Sequence, residues 1–433
     1  MPASSERGGR GRAGPGWDMD IYRSDNLLVR RKPGRRTDHW VVTFDHYGIN
    51  ATFERPGFGE EFLAARDVSV MTILGRGNDW YQYPDIAAAL AAARAALVRA
   101  DRIVTYGSSM GGYAAIRFAD ALGAHACVAI SPQYSNDPAK VPFEWRWPED
   151  AKRIDWRNEP AGPIRCAADL VIVYDPTNED GQHVRRIASD VRCRRIPIRY
   201  AAHPATTFLS SSGLLPELIL SVLEGQFEGR SFGERAVAAR KTDAVYLSEM
   251  ARRQPVWRPR LGIALARRAV AAAPAADLFH HILACRLALA GRPDEALAAH
   301  ATACRLSGEF WCYALPYAEA LAASGDMPAA VALAGRLATN NADHAHIQHV
   351  LAHLLWLSGR RREALHHLGR AVRLAPRNAF YRQALLAYRS SYRLRPIRAG
   401  WRIFRRSPGI LRTMLRRLVT ISSPATVRAA RRD

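Results

Sequence analysis

Residues Thr105–Ala115 read TYGSSMGGYAA. Before them, Ile103–Tyr106 is a short apolar, β-branched run that suits a buried strand. After them, Met110–Leu122 reads as a helix. The five residues Gly107-Ser108-Ser109-Met110-Gly111 join the two. They spell G-x-S-x-G with Ser109 at the centre. That pattern suits a sharp strand-to-helix turn with the central hydroxyl exposed. Gly107 and Gly111 are then expected where side chains would collide with neighbouring strands. The Met110 N–H, at the helix N-terminus, would point toward developing negative charge. A plain turn that merely requires small residues is the competing reading. Five residues alone do not separate the two, so the surroundings decide.

The surroundings alternate strands and helices. NLLVRR (26–31), WVVTFD (40–45), VSVMTIL (68–74), ACVAIS (126–131), DLVIVY (169–174) and IPIRYA (196–201) are short and rich in β-branched residues. Between them lie DIAAALAAARAAL, DGQHVRRIASDV and LLPELILSVLEG, which have helical composition. This alternation predicts an α/β domain over 18–230, a mostly parallel sheet covered on both faces. Ligands in such sheets bind beyond the carboxyl ends of the strands.

With its serine turn in that setting, the chain resembles the α/β-hydrolase superfamily. The resemblance implies a catalytic order of serine, then acid, then histidine. Ser109 would be the nucleophile. His203, in IPIRYAAHPATTFL just past the last strand, would be the general base. His183 is a lesser candidate because it falls inside a helical stretch. The acid is Asp180 or Asp175, both beyond the strand DLVIVY, with Glu179 a distant third. Asp180 fits the family position better, although an aspartate opening a helix often only caps it. Asp175, before Pro176, could be a turn-former. The second oxyanion donor would come from the loop HYGINATFERPGFGEEF, as the N–H of His46 or Tyr47, opposite that of Met110.

Two loops rich in aromatic residues follow strand ends. GNDWYQYPD holds Trp80, Tyr81 and Tyr83; FEWRWPEDAKRIDW holds Trp145, Trp147 and Trp156. Tyr47, Trp80, Tyr81 and Trp147 are candidates to line a pocket for a small-molecule or saccharide acyl ester. Packing of the loops onto the sheet explains the same aromatics equally well.

Beyond Ser231 the chain is rich in Ala, Leu and Arg and repeats itself. Gly291, Gly325 and Gly359 recur every 34 residues, as do Ala284, Ala318 and Ala352, and Ala296, Ala330 and Ala364. This is similar to the tetratricopeptide repeat and covers 242–391. The family register implies a groove that binds a protein partner. His346, His349, His353 and Trp356 would line it, with His281 and Glu319 from earlier repeats. His349 and His353 lie one helical turn apart but lack the glutamate of HExxH, so no metal is expected.

The chain has 433 residues and a formal charge of +22. Twelve arginines against one aspartate fall between Arg393 and Asp433. That basic amphipathic segment, 392–433, carries the stripe Ile410, Leu411, Met414, Leu415, Leu418 and Val419. It is expected to cap the repeats, or to touch an anionic membrane surface. No base-reading module is present, so no specific nucleic-acid partner is expected. The first 17 residues, rich in Gly and Arg without an apolar core, read as a disordered tail rather than a secretory signal. Six scattered cysteines suit free thiols in a cytoplasmic setting. Together these readings predict a cytoplasmic serine hydrolase of carboxylesterase type, needing no cofactor. An acyltransferase with the same triad, or a non-catalytic scaffold acting through the repeats, are the alternatives.

Overall fold

The computed structural model describes residues 19–49, 51–159 and 161–393. These divide into two compact units between Ala238 and Ala239. The glycine- and arginine-rich start and the apolar stripe of residues 410–419 lie outside the described residues.

The first unit is built on an eight-stranded sheet. Its strands are β1 (Met19–Arg23), β2 (Leu27–Lys32), β3 (Arg36–Phe44), β4 (Val68–Gly75), β5 (Arg102–Ser108), β6 (Ala126–Ile130), β7 (Asp169–Tyr174) and β8 (Arg194–Pro197). They are ordered β1-β2-β4-β3-β5-β6-β7-β8. The pairs β1·β2 and β2·β4 are antiparallel, and every pair from β4 to β8 is parallel. The order reverses between β3 and β5, a switch point that opens a crevice at their carboxyl ends. Helices follow the strands: α1 (Glu60–Ala64), α2 (Ile86–Ala96), α3 (Met110–Arg117), α4 (Ala119–Leu122), α5 (Pro148–Arg153), α6 (Asp180–Asp190), α7 (Thr206–Ser211), α8 (Leu214–Leu223) and α9 (Gly229–Ala239). Every residue of β6, and all but the first of β5 and β7, is buried. Continuous apolar runs of this kind are what a sheet covered on both faces requires.

The sheet departs from the sequence reading at both of its edge strands, and the helix expected over 110–122 is split at Phe118. β1, which is only partly buried, is a strand that the sequence does not announce. The last strand is Arg194–Pro197 rather than 196–201. Pro197 has no N–H to continue a ladder. After one further bond, Ile198 N to Tyr174 O at 2.8 Å, the chain turns through Tyr200 and Ala202, at φ 62° and 68°.

The second unit stacks helix pairs. They are α10 (Ala244–Arg253) with α11 (Pro259–Ala272), α12 (Asp277–Leu289) with α13 (Pro293–Leu306), α14 (Trp311–Ala323) with α15 (Met327–Asn340), and α16 (Ala345–Leu357) with α17 (Arg361–Leu374). Then α18 (Ala379–Arg393) follows. In the last three pairs Gly291, Gly325 and Gly359 turn the first helix into the second at φ 72°, 99° and 82°. No atom lies within 4 Å of a Cβ placed there, so backbone conformation, not space, calls for glycine. Ala284, Ala318, Ala352, Ala330 and Ala364 are fully buried, and Ala296 nearly so, where the helices touch.

Candidate active site

Ser109 links β5 to α3 with φ 55° and ψ −118°, a conformation that costs a non-glycine residue energy. Two backbone bonds hold it there. Its N–H donates to Ile130 O at the end of β6, and its carbonyl accepts from Tyr113 N. Both flanking glycines are sterically required, for different reasons. A Cβ on Gly107 would lie 2.0 Å from Gly111 O, so the contact is with the helix of the turn itself rather than with a neighbouring strand. A Cβ on Gly111 would lie 2.4 Å from Phe44 O at the end of β3. α3 therefore begins directly against the carboxyl end of β3.

Three predicted side chains meet at this turn. Ser109 Oγ is 2.9 Å from His203 Nε2, and His203 Nδ1 is 2.8 and 2.9 Å from the two oxygens of Asp180. All three residues are buried. Asp180 can only accept when ionised, so Nδ1 carries the imidazole proton. Nε2 is then the acceptor for the Ser109 O–H. Burial alone would raise the Asp180 pKa. Its interactions with His203 and Arg146, hydrogen bonds included, outweigh it and hold the carboxyl down to about 2.

Asp180 is the first residue of α6 and does not cap it; Asn178 Oδ1 accepts the Asp180 N–H at 2.9 Å. Asp175 is engaged by its own turn. It accepts from the Thr177 N–H and hydroxyl, closing the turn at Pro176. Glu179 accepts from Trp145 Nε1. His183 lies on α6 and reaches Asp180 only indirectly, through Glu144 and Arg146. Its Nδ1 accepts from Tyr134 N and its Nε2–H donates to Glu144. Burial lowers its pKa, and the accepting Nδ1 marks the ring as neutral.

Of the predicted lining residues, Trp147 reaches the triad, its ring 5.6 Å from that of His203. Trp80 and Tyr47 extend this cluster at 5.5 Å from Trp147. Tyr47 also donates to Asp150. Tyr81 does not line the site. It is buried, accepts from Asp45 N and donates to Ile73 O, bracing the ends of β3 and β4. Tyr83 likewise bonds the Gly77 backbone. For the oxyanion donors, Met110 N is a first-turn amide of α3 with no intrahelical acceptor. The His46 segment follows β3 where Gly111 abuts it, and the His46 ring packs on Phe58.

The structure adds residues that the sequence reading passes over. Gln133, beyond the end of β6, donates Nε2–H to Ser109 Oγ at 2.9 Å. Arg146 donates to Asp180 Oδ1 at 2.9 Å and pairs with Glu144. Burial opposes ionisation of Glu144, yet His183 and Arg146 hold its pKa well below the usual range. Ser108 bonds Thr206 at 2.7 Å, tying β5 to the helix after His203. Gln133 was discoverable as a polar residue past a strand end; Arg146 lies between two of the noted tryptophans.

In the second unit the predicted groove residues pack against α18. His349 is buried between Phe380 and Tyr381, with ring distances of 5.0 and 5.1 Å. His353 Nδ1 bonds Tyr388 Oη at 2.8 Å, and Trp356 stacks on Tyr388 at 4.1 Å. His346 lies beside His349. His281 is buried beside His300 and Tyr313. Burial raises the Glu319 pKa to about 7. Among the described residues no group of three His, Cys, Asp or Glu could hold a metal ion. No described helix is long and apolar enough to cross a membrane. All six cysteines are free thiols.

The sequence matches no protein-family profile and no curated protein. Solved structures similar to the helical repeats are tetratricopeptide-repeat proteins. YrrB, described as having an unusual peptide-binding site, is 17% identical, covering 41% of this chain and 87% of its own, with a TM-score of 0.31. A thermophilic repeat protein of Thermus thermophilus is 21% identical, covering 44% of this chain and 99% of its own, with a TM-score of 0.32. MamA is 15% identical over 37% of this chain and 95% of its own, with a TM-score of 0.30. Scores of that size carry no functional argument.

Proposed function

We propose that the first unit is a serine hydrolase of α/β-hydrolase type acting on an acyl ester. The observation that carries this reading is the unbroken hydrogen-bond path from Ser109 through His203 to Asp180 on a strained strand-to-helix turn. A serine hydroxyl attacks only when a positioned base removes its proton. In this reading His203 Nε2 takes the proton as Ser109 Oγ bonds to the acyl carbon, and returns it to the leaving alcohol. Asp180 fixes the tautomer and stabilises the imidazolium. The Met110 N–H and an amide of the 46–47 segment would receive the oxyanion. Water then releases the acyl group by the same steps. With an alcohol in place of water the same residues perform acyl transfer. Trp147, against His203, favours a compact acyl group beside an aromatic wall.

The test is turnover of short-chain aryl esters, thioesters and acetylated sugars by the full chain. Hydrolysis that disappears in Ser109→Ala and His203→Ala supports the reading. Turnover unaffected by Ser109→Ala contradicts it.

The repeats support a second reading, in which the chain acts as a scaffold for a protein partner. Its helix pairs present faces suited to recognition. Partner binding that persists in Ser109→Ala would show this role to be independent of any catalysis.

A further inference from the structure

We infer that Gln133 is a catalytic residue of acyl-enzyme breakdown, its side-chain N–H assisting the departure of Ser109 Oγ. This rests on the serine-hydrolase reading above. Gln133 is 1% exposed and its Nε2 lies 2.9 Å from Ser109 Oγ. The direction of this bond is determined. Ser109 has one hydroxyl proton, and it goes to His203 Nε2, because Nδ1–H is given to Asp180. Ser109 Oγ can therefore only accept from Gln133, which presents its NH2 group.

The loop that carries Gln133 is held firmly. Ser131, at φ 47°, donates its N–H to Val173 O at 2.8 Å. Its hydroxyl accepts from Ala205 N, two residues past His203, at 3.0 Å. Pro132 packs against the first turn of α3, where a Cβ on Gly112 would come within 3.1 Å of Pro132 Cα. One short loop thus connects the serine turn, the histidine loop and the glutamine. The other half of the amide, Oε1, is buried with no hydrogen-bond partner. An orphaned buried acceptor costs stability.

The bond is worth different amounts in the two half-reactions. In acylation, Oγ gives an electron pair to the acyl carbon and becomes a poorer acceptor. The Gln133 bond gains nothing on the way to that transition state. In deacylation the flow reverses. Water oxygen bonds to the acyl carbon and its proton passes to His203 Nε2. The tetrahedral intermediate then collapses, the C–Oγ bond breaks and its electron pair moves onto Oγ. His203 returns the proton to Oγ. Charge builds on Oγ within reach of a fixed N–H, so that bond strengthens in the transition state. Only interactions that strengthen there accelerate a step.

The test uses the full chain with p-nitrophenyl acetate in rapid mixing. Gln133→Met removes the donor, and Gln133→Glu keeps the size but presents a carboxylate. Both variants should show a burst of nitrophenolate at close to the wild-type rate. Their steady-state rates should fall roughly tenfold to a hundredfold. Acetylated Ser109 should accumulate and be detectable by mass. Steady-state rates equal to wild type, or burst and steady-state rates that fall together, overturn the inference while leaving the hydrolase reading intact. A wild-type chain that releases no nitrophenolate and resists fluorophosphonate overturns the hydrolase reading itself, and this inference with it.

Discussion

Arg146 holds the same Asp180 oxygen that His203 holds: Arg146 Nη1 is 2.9 Å and His203 Nδ1 2.8 Å from Asp180 Oδ1. Asp180 thus sits between two N–H donors, of which Arg146 is permanently charged. Arg146 in turn is bracketed by Glu144, which receives His183. Asp180 is one end of a buried charge network, and that network can be tested piece by piece.

Removing Arg146 leaves Glu144 and Asp180 as buried carboxylates without their shared cation. Arg146→Met should cost about 3–5 kcal/mol of stability. The double variant Glu144→Gln with Arg146→Met should cost less than Arg146→Met alone, because it removes one stranded charge and keeps an acceptor for His183. Urea denaturation midpoints measure both. A double variant less stable than the single one would contradict the network.

Asp180 makes a pH-dependent contribution. Its folded pKa, about 2, lies below the unfolded value of about 4. A depressed carboxyl pKa means that the unfolded chain binds more protons. The stabilisation, about 2 kcal/mol, is therefore present above about pH 4 and lost as the pH falls toward about 2. The stability gap between wild type and Asp180→Asn should close over that window. The same variant should lower kcat by roughly four orders of magnitude, by fixing the wrong imidazole tautomer. A gap that is constant with pH would show that Asp180 does not carry this charge.

The strain at Ser109 predicts an inversion. Ser109→Gly relieves the positive φ, whereas Ser109→Ala keeps it. Both should be inactive. Ser109→Gly should nonetheless be more stable than Ser109→Ala by about 1 kcal/mol, after the entropic cost of glycine is counted. Equal stabilities would mean that the turn stores no strain.

The repeats should be acid-sensitive. Burial lowers the His281 pKa to about 3, with His300 adding to the effect, and lowers the His300 pKa to about 4. The unfolded chain takes up protons near pH ~6.5 that the folded one refuses. Their contribution is full above that value and is lost as the pH falls; each should cost about 2 kcal/mol by pH ~5. His281→Leu should flatten the pH dependence of helix melting followed by circular dichroism. An unchanged slope would contradict the assignment.

Much of this was readable from residues. The strand runs, the 34-residue spacing of glycines and alanines, and the serine turn all use short-range patterns that the chain cannot hide. Ser109, His203 and Asp180 were legible because each follows a strand that is itself legible. The choice between Asp180 and Asp175 was not, since both stand past β7 and only the path of His203 after Pro197 decides which it meets. Tyr81 looked like a pocket residue, because an aromatic in a loop has the same appearance whether it faces a ligand or braces a strand end. Gln133 stands past a strand end, where a polar residue is worth noting, but its contact to Ser109, like that of Arg146 to Asp180, is to a residue distant in sequence that no local pattern names.

The central claim is that Ser109 is a nucleophile activated by His203. A fluorophosphonate probe tests it most directly, on the full chain, with Ser109→Ala, Ser108→Ala and His203→Ala alongside wild type. Labelling of wild type and Ser108→Ala, its loss in Ser109→Ala and its slowing in His203→Ala are the predicted results. A folded wild type that takes up no probe, or labelling that survives Ser109→Ala, would contradict the account.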